Sequence, residues 1–112
     1  MTYDAFDVVI VPFPFTDRPI SRKRPAVVLT AREPYGAATG QCVIAMITVA
    51  ARSAWPFDRP IRDVVAAGLN RPCVIRMKLF TIDQRLVIGK TGSLGEQDRQ
   101  SIRATIDELF RG

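Results

Sequence analysis

The sequence predicts a small, mainly β fold that ends in a single helix. Short segments rich in β-branched and aromatic residues recur along the chain, separated by Pro, Gly and polar residues, as is typical of strands and turns. Helical spacing of apolar residues is clear only near the C-terminus. Several strands followed by one helix favour a curled antiparallel sheet with the helix packed on it. The length predicts one domain over residues 1–112.

The first strand is predicted at residues 6–15, a β-branched and aromatic stretch too rich in proline for a helix. It is apolar on both faces, so we expect both faces to be buried. Pro12 and Pro14 are two residues apart, which places their missing N–H groups on the same side of the strand. That side must be a sheet edge or lie beyond the last pairing.

Further strands follow a polar loop at residues 16–24. Pro25 biases Arg24 toward an extended conformation at the start of the second strand. Residues 52–71 are less regular and are expected to hold a short strand and then a turn or helical piece ending at Gly68. The predicted strands cover residues 25–31, 41–48, around 55–61, 73–76 and 86–90.

The C-terminal helix has a predicted start and a predicted apolar stripe. Ser93 and Glu96 have the spacing of a capping box, in which each side chain satisfies a backbone N–H of the first turn. Apolar residues then recur at helical spacing and form one stripe. The stripe comprises Ile102, Ile106, Leu109 and Phe110.

Composition narrows the classes of function. The formal net charge is +5, and 13 of the 16 cationic residues are arginine, whose planar fork suits phosphate. Such a chain favours a polyanionic partner, either nucleic acid or an acidic protein. Histidine is absent and the acidic residues are scattered, which argues against a zinc site or a two-metal nuclease centre. We therefore expect no metal and no cofactor.

The cysteines and the hydropathy pattern bear on the compartment. Cys42 and Cys73 lie in separate apolar stretches, so two buried thiols are expected rather than a disulfide or a metal site. No apolar run approaches the roughly 18 residues of a membrane span, and the N-terminus lacks the pattern of a secretory signal. The cytoplasm is the expected location, with no membrane partner.

Several polar and aromatic residues each allow a structural and a functional interpretation. The basic residues between Arg18 and Arg24 form either a solvated turn or a binding loop. Thr48 either simply ends a strand or contributes a hydroxyl to a site, and Arg76 either snorkels or contacts phosphate. Trp55 and Phe57 either stack on bases of single-stranded RNA or belong to the core or a subunit interface.

An ordered set of motifs resembles the MazF/PemK toxin family, with PemK-like sequences the closer subgroup. The opening two strands carry the resemblance most clearly, with DVVIVPFPFTD at residues 7–17 and KRPAVVL at residues 23–29. Five further matches follow in order along nearly the whole chain. They are AMIT at 45–48, AGL at 67–69, CVIR at 73–76, LFTID at 79–83 and GKTGSL at 89–94.

The resemblance implies a fold, an activity and partners. The implied fold is a small SH3-like β-barrel of the CcdB/MazF type with a C-terminal helix, usually assembled as a homodimer. The implied activity is sequence-selective, metal-independent cleavage of single-stranded RNA, which inhibits translation and growth. Such toxins are typically neutralised by a cognate antitoxin whose acidic, partly disordered segment covers the RNA groove.

The resemblance also assigns residues. The family's catalytic arginine before proline matches Arg24, and its catalytic threonine or serine at the end of the third strand matches Thr48. An arginine implicated in some members matches Arg76. From the position of the basic loop we expect Arg22 and Lys23, together with Arg76, to hold phosphates of the RNA. Asp17, in the same loop, is also expected to contact the RNA and is a candidate general base.

Two departures from the family pattern bear on the turn before the first strand and on the chemistry. The family commonly has glycine before the opening Asp-Val, whereas this chain has Phe6. Some members carry a catalytic aspartate shortly after the arginine that matches Arg76, whereas this chain continues with Met77 and Lys78. An acid–base pair is therefore not expected from this segment.

A mechanism follows from these residue types. The neighbouring 2′-hydroxyl of RNA can act as the nucleophile without a metal, while Arg24 stabilises charge on the phosphate and Thr48 orients it by a hydrogen bond. The general base is unassigned, because arginine is a poor proton acceptor at neutral pH. Two alternatives stay open: a non-enzymatic CcdB-like toxin that binds DNA gyrase, and an SH3-like interaction module without catalysis.

Overall fold

The fold is taken from a computed structural model that describes residues 2–14, 22–52 and 54–112. Six strands form one sheet in the order β4-β5-β3-β2-β1-β6, and every neighbouring pair is antiparallel. The strands are β1 (Asp7–Phe13), β2 (Arg22–Val28), β3 (Gln41–Val49), β4 (Arg59–Pro60), β5 (Cys73–Asp83) and β6 (Gly89–Ser93). The mainly β fold with a long C-terminal helix, α2 (Glu96–Leu109), is confirmed.

Shorter helical elements connect the strands. A helical segment at Arg32–Gly36 leads into the one-turn helix α1 (Ala37–Thr39) between β2 and β3. Short 3₁₀ turns follow β3 at Ala50–Arg52 and β5 at Gln84–Leu86.

The sheet has an apolar core on each face. On the helix face, Val8 and Val27 pack in one cluster with Ile102 of α2. On the opposite face, Val9 and Ala26 belong to a second cluster. Because side chains alternate between faces along a strand, β1 contributes to both clusters. The expectation that β1 is buried on both faces is thereby confirmed.

The two prolines of the first strand lie where the pairing allows them. Pairing of β1 with β6 ends at Ile10, whose carbonyl accepts a hydrogen bond from the Ile88 N–H at 2.8 Å. The missing N–H of Pro12 is on the same side of β1 as the Ile10 carbonyl, and Pro12 lies two residues beyond this last β1–β6 pair. Pro14 lies beyond β1 itself. Neither proline therefore has to donate a backbone hydrogen bond to β6.

Phe6 adopts a backbone conformation that glycine reaches at no steric cost. Its φ is 72°, in the left-handed region. Its ring is buried and lies under the guanidinium groups of Arg99 and Arg103, whose Cζ atoms are 5.6 and 4.8 Å from the ring centroid. The turn into β1 thus keeps a glycine-type backbone, and contacts with α2 offset the strain of a side chain there.

Several predicted strands have different bounds in the structure. The first, predicted at residues 6–15, is β1 (Asp7–Phe13), and the second, predicted at residues 25–31 after a loop, begins earlier as β2 (Arg22–Val28). The predicted strand at residues 73–76 is the first part of the eleven-residue β5, which pairs along β3 from Cys73 to Asp83 with a bulge between Ala45 and Met46. The predicted strand at 86–90 is shifted, because Leu86 ends a 3₁₀ turn and β6 begins at Gly89. The strand expected around 55–61 contracts to the two residues of β4.

The turn predicted to end at Gly68 is confirmed. Gly68 has a φ of +74°, and a Cβ at this position would lie 2.3 Å from the carbonyl oxygen of Thr91. Only glycine fits both the backbone conformation and this approach to β6.

The predicted capping box of α2 is wrong. The N-cap residue is Gly95, which has no side chain to cap the helix, and Ser93 is the last residue of β6. The Ser93 hydroxyl donates instead to Asp7 Oδ1 at 3.3 Å. Ser93 therefore ties β6 to β1 rather than starting the helix.

A buried carboxylate fixes the first turn of α2. Asp98 accepts hydrogen bonds from the backbone N–H groups of Arg62 at 2.9 Å and Asp63 at 3.0 Å. Along the predicted apolar stripe, Ile102 is buried and Ile106 packs beside it, whereas Phe110 is 70% exposed after the helix end. The stripe is thus confirmed at Ile102 and Ile106, but Phe110 lies outside the core.

Both cysteines are buried and not disulfide bonded, as expected. Among the described residues, no helix combines the length and apolar character needed to cross a membrane.

Candidate functional site

The site residues expected from the sequence meet on three neighbouring strands. Ala26 of β2 pairs with Met46 of β3, and continuing this register by two residues brings Arg24 opposite Thr48. Met46 pairs on its other side with Arg76 of β5. Arg24, Thr48 and Arg76 all line one cavity of about 270 Å³, the strand cavity. Its other lining residues are Phe13, Met46, Ile47, Lys78 and Phe80.

A second depression adjoins the first. This loop groove, of about 510 Å³, runs between the start of β2, the end of β3 and residues 69–71. Arg24 and Thr48 line both the loop groove and the strand cavity. They therefore lie where the two depressions meet. A linear polymer bound along both depressions would contact them.

The walls of both depressions are positively charged. The loop groove is lined by Arg22, Lys23, Arg24 and Arg71, and the strand cavity adds Arg76 and Lys78. None of the described residues that line the two depressions is acidic. Converging cations in a concave surface raise the local concentration of a polyanion. The arrangement suits the backbone of a nucleic acid or an acidic peptide.

Arg24 is held by its neighbours, and one of its donors is unused among the described residues. Its Cζ lies 5.8 Å from the ring centroid of Phe13, within cation–π range. Its Nε is buried and has no hydrogen-bond partner among the described residues. Buried guanidinium N–H groups are normally paired. An N–H without a partner at the junction of two basic depressions is positioned to bind an anion.

A carboxylate from another part of the chain lies beside Arg76. Its Nε lies 4.0 Å from Asp58 Oδ1, while Asp58 Oδ2 accepts from the Trp55 N–H at 3.0 Å. The sequence has Met77 and Lys78 where some family members carry an aspartate, yet a carboxylate is present beside Arg76. Asp58 comes from the segment before β4, which explains why local sequence did not indicate it.

The remaining expected residues divide into three groups. Arg22 and Lys23 are exposed at the start of β2 and line the loop groove. Asp17 lies outside the described residues. Trp55 and Phe57 are partly exposed, which excludes the interpretation that they are core residues of this chain. Their roles as base-stacking or interface residues stay predictions.

Four charged or aromatic lining residues were not singled out from the sequence as site residues. Lys78 lies two residues after Arg76, so it shares a strand face with it; predicting β5 as one long strand would have indicated Lys78. Phe13 and Phe80 follow from strand alternation in the same way. Arg71 has no local signal, because its place in the loop groove depends on the path of residues 69–71.

Cys73 also lines the loop groove and carries a nucleophilic side-chain type. Burial raises the pKa of the Cys73 thiol above its ordinary value. The thiolate is therefore disfavoured, and Cys73 serves packing in the helix-face core rather than nucleophilic chemistry.

A further cavity of about 580 Å³ lies near the N-terminus, away from these residues. It is larger, but two of its cations already have partners. Lys90 Nζ is 3.1 Å from Asp7 Oδ1, and Arg85 Nη2 is 2.8 Å from Asp83 Oδ2. In the described parts of the chain, no three His, Cys, Asp or Glu side chains come together in a way that could hold a metal ion.

Comparison with known proteins gives one family and a set of related folds. The family model for the "PemK-like, MazF-like toxin of type II toxin-antitoxin system" matches residues 4–110. No curated protein sequence matches the chain.

Among solved structures, a chain of a MazE–MazF structure from Deinococcus radiodurans is similar, with a TM-score of 0.75 and 20% identity over 97% of this chain and 96% of that one. A MazF toxin from Mycobacterium tuberculosis gives a TM-score of 0.71 and 22% identity over 93% and 95% of the two chains. At these identities the likeness shows the fold, a curled half-barrel sheet with a C-terminal helix. The fold class expected from the resemblance is thereby confirmed.

Proposed function

The chain belongs to the PemK-like, MazF-like family of toxins of type II toxin–antitoxin systems, and from this premise we propose that it is a metal-independent endoribonuclease of single-stranded RNA. The observation that carries the proposal is the position of Arg24 and Thr48 at the junction of two basic depressions. An RNA strand lying along both depressions would bring one phosphate to these two residues.

The chemistry proposed for this phosphate starts from the RNA itself. The 2′-oxygen attacks the adjacent phosphorus, the bond to the 5′-oxygen breaks, and the products carry a 2′,3′-cyclic phosphate and a 5′-hydroxyl. The Arg24 guanidinium donates to the phosphate oxygens and strengthens these contacts as negative charge develops. The Thr48 hydroxyl donates to the same phosphate, while Arg76, Arg22 and Lys23 hold it and the neighbouring phosphates.

Two protons must also move, one from the 2′-hydroxyl and one to the 5′-oxygen. Arginine is a poor acceptor at neutral pH, and the Asp58 Oδ1 atom is buried beside Arg76. Asp17 stays the candidate base. Where proton transfer is inefficient, alignment of the 2′-oxygen with the scissile bond supplies much of the rate. The rigid strands β2, β3 and β5 are suited to provide that alignment.

The side chains around the two depressions are the reason for proposing that cleavage needs no metal ion. The walls of both depressions are cationic, and the described residues bring together no set of three metal-ligating side chains. Six cations provide charge stabilisation where a divalent ion would otherwise do so.

The partners follow from the same surface. The basic groove would accept the acidic segment of a cognate antitoxin in place of RNA, which is consistent with the description of the related D. radiodurans structure as MazE–MazF. We further propose a homodimer that acts on mRNA in the cytoplasm and thereby inhibits translation and growth. Sequence selectivity would arise from the walls of the groove and the residues around it.

The test is cleavage of a long, sequence-diverse single-stranded RNA by purified protein in excess EDTA. We expect discrete fragments from the wild type and none from Arg24→Ala, which should remain folded. Arg111→Ala is the matched control, because Arg111 is an exposed arginine paired with Asp107 at the end of the chain. It should cleave as the wild type does.

Two results would overturn the proposal. A folded wild type that yields no fragments would favour the gyrase-binding toxin or the interaction module. Cleavage by Arg24→Ala at the wild-type rate would show that the ribonuclease activity does not depend on the Arg24–Thr48 junction.

A further inference from the structure

The segment before β4 presents an aromatic ring at the edge of the strand cavity. Trp55 is 42% exposed, a large fraction for an indole. Lys78 Nζ lies 4.4 Å from its ring centroid and Arg76 Cζ lies 5.9 Å from it. Both cations line the strand cavity. The ring is therefore adjacent to the charges proposed to hold RNA phosphates.

The position of this ring is fixed rather than incidental. Asp58 accepts from the Trp55 N–H and also lies beside Arg76, so one carboxylate joins the aromatic segment to β5. The Asp58 N–H in turn donates to the Trp55 carbonyl at 3.1 Å. These contacts hold the backbone that carries the indole, and the indole itself lies against Lys78 and Arg76. A ring fixed in advance loses little conformational freedom when a flat group stacks on it.

We propose that Trp55 is the stacking platform for one nucleobase of the RNA, adjacent to the phosphate at the Arg24–Thr48 junction. The inference rests on the proposed function and adds a residue that sets how the substrate lies. Indole faces stack on any base, and single-stranded RNA exposes its bases for such contacts. Arg76 and Lys78 contact the flanking phosphates, so the base and its phosphate are held together by one cluster.

The chain offers a specific probe, because Trp55 is its only tryptophan. All indole emission therefore reports on this position. The ligand is a 2′-O-methyl oligonucleotide that spans a mapped cleavage site, which cannot be cut because its 2′-oxygen is blocked. We expect saturating oligonucleotide to quench the emission of the wild type and to reduce its access to acrylamide.

Three variants test the ring itself, with affinity measured by anisotropy of the labelled oligonucleotide. Trp55→Leu keeps apolar bulk without a flat face and should raise Kd by about 5- to 150-fold, as expected for base–aromatic stacking of about 1–3 kcal/mol. Trp55→Phe restores a ring and should stay within about 5-fold of the wild type. Phe110→Leu removes an aromatic side chain that is 70% exposed beyond α2 and should leave Kd unchanged.

The outcomes separate this inference from the ribonuclease proposal. Cleavage by the wild type, with unchanged emission on binding and an unchanged Kd for Trp55→Leu, overturns the platform and leaves the ribonuclease proposal standing. A change in oligomeric state for Trp55→Leu without a change in Kd overturns it in favour of a subunit contact. A wild type that neither binds nor cleaves RNA overturns both.

Discussion

Replacing Arg24 with methionine should reduce activity and leave stability equal to or above that of the wild type. Methionine keeps the length and apolar stem of the side chain but has no guanidinium. In the wild type, Arg24 Nε is buried and has no hydrogen-bond partner among the described residues. An unsatisfied buried donor costs about 1–3 kcal/mol, so its removal stabilises the folded state.

The opposing contribution is the cation–π contact of Arg24 with Phe13, with Cζ 5.8 Å from the ring centroid. Its loss costs about 0.5–1 kcal/mol, part of which a methionine–aromatic contact replaces. The net change is a gain of about 0–2.5 kcal/mol. For a domain of this length, 1 kcal/mol corresponds to about 4 °C, so Tm should rise by about 0–10 °C.

Activity should change in the opposite direction. Loss of a preorganised donor to the developing phosphate charge lowers the rate by about 10²–10³-fold. The assays are thermal unfolding followed by circular dichroism and single-turnover RNA cleavage in EDTA. Arg111→Met, at an exposed surface pair, is the control. It should change the free energy of unfolding by no more than about 0.5 kcal/mol and leave the cleavage rate unchanged. A Tm lowered by more than about 4 °C, or cleavage at the wild-type rate, would refute the reasoning.

Three further changes probe separate parts of the structure. Thr48→Val removes only a hydroxyl and should lower the cleavage rate by about 10²–10³-fold with unchanged circular dichroism; full activity would exclude Thr48 from the chemistry. Asp98→Ala leaves the N–H groups of Arg62 and Asp63 without their acceptor and should lower the unfolding free energy by about 2–4 kcal/mol in urea, with cleavage retained. Burial raises the pKa of Cys42 to about 11 from its ordinary value of 9.0, so its contribution to stability is present below pH 9 and is lost as the pH rises through about 11. Cys42→Ala should therefore lose less stability than the wild type between pH 8 and 11, and an equal loss in both proteins would contradict this assignment.

Sequence patterns were most informative where one local rule decided the structure. The apolar stretch of β1 buries residues on both faces. The strand period places the missing N–H of Pro12 on the same side of β1 as the Ile10 carbonyl, and the β1–β6 pairing has ended before Pro12. Gly68 ends its turn because both its φ and the close approach of Thr91 require glycine. The apolar run, the proline spacing and the glycine are all visible in the local sequence, although the approach of Thr91 to Gly68 is itself a tertiary contact.

Predictions were wrong where a distant residue competed for the same group. Ser93 has capping-box spacing with Glu96, yet the carboxylate of Asp7 on β1 takes its hydroxyl. The predicted C-terminal stripe includes Phe110, because helical spacing does not show that α2 ends at Leu109 and leaves Phe110 exposed. For Ser93 the deciding contact is tertiary.

The candidate site divides in the same way. Arg24, Thr48 and Arg76 could be singled out because the resemblance covers their motifs, and the strand register then brings them into one cavity. Arg71 and Asp58 come from irregular segments. The place of Arg71 in the loop groove and the position of Asp58 beside Arg76 therefore depend on the folded path. Asp17, outside the described residues, stays a prediction.

The most direct test of the central claim uses one oligonucleotide that spans a mapped cleavage site. It is compared in excess EDTA with the same oligonucleotide carrying a single 2′-deoxy nucleotide at that site. We predict that the protein cuts only the all-ribose strand and leaves a 2′,3′-cyclic phosphate and a 5′-hydroxyl. Equal cleavage of the 2′-deoxy strand, or cleavage that appears only when a divalent metal is added, would contradict the account.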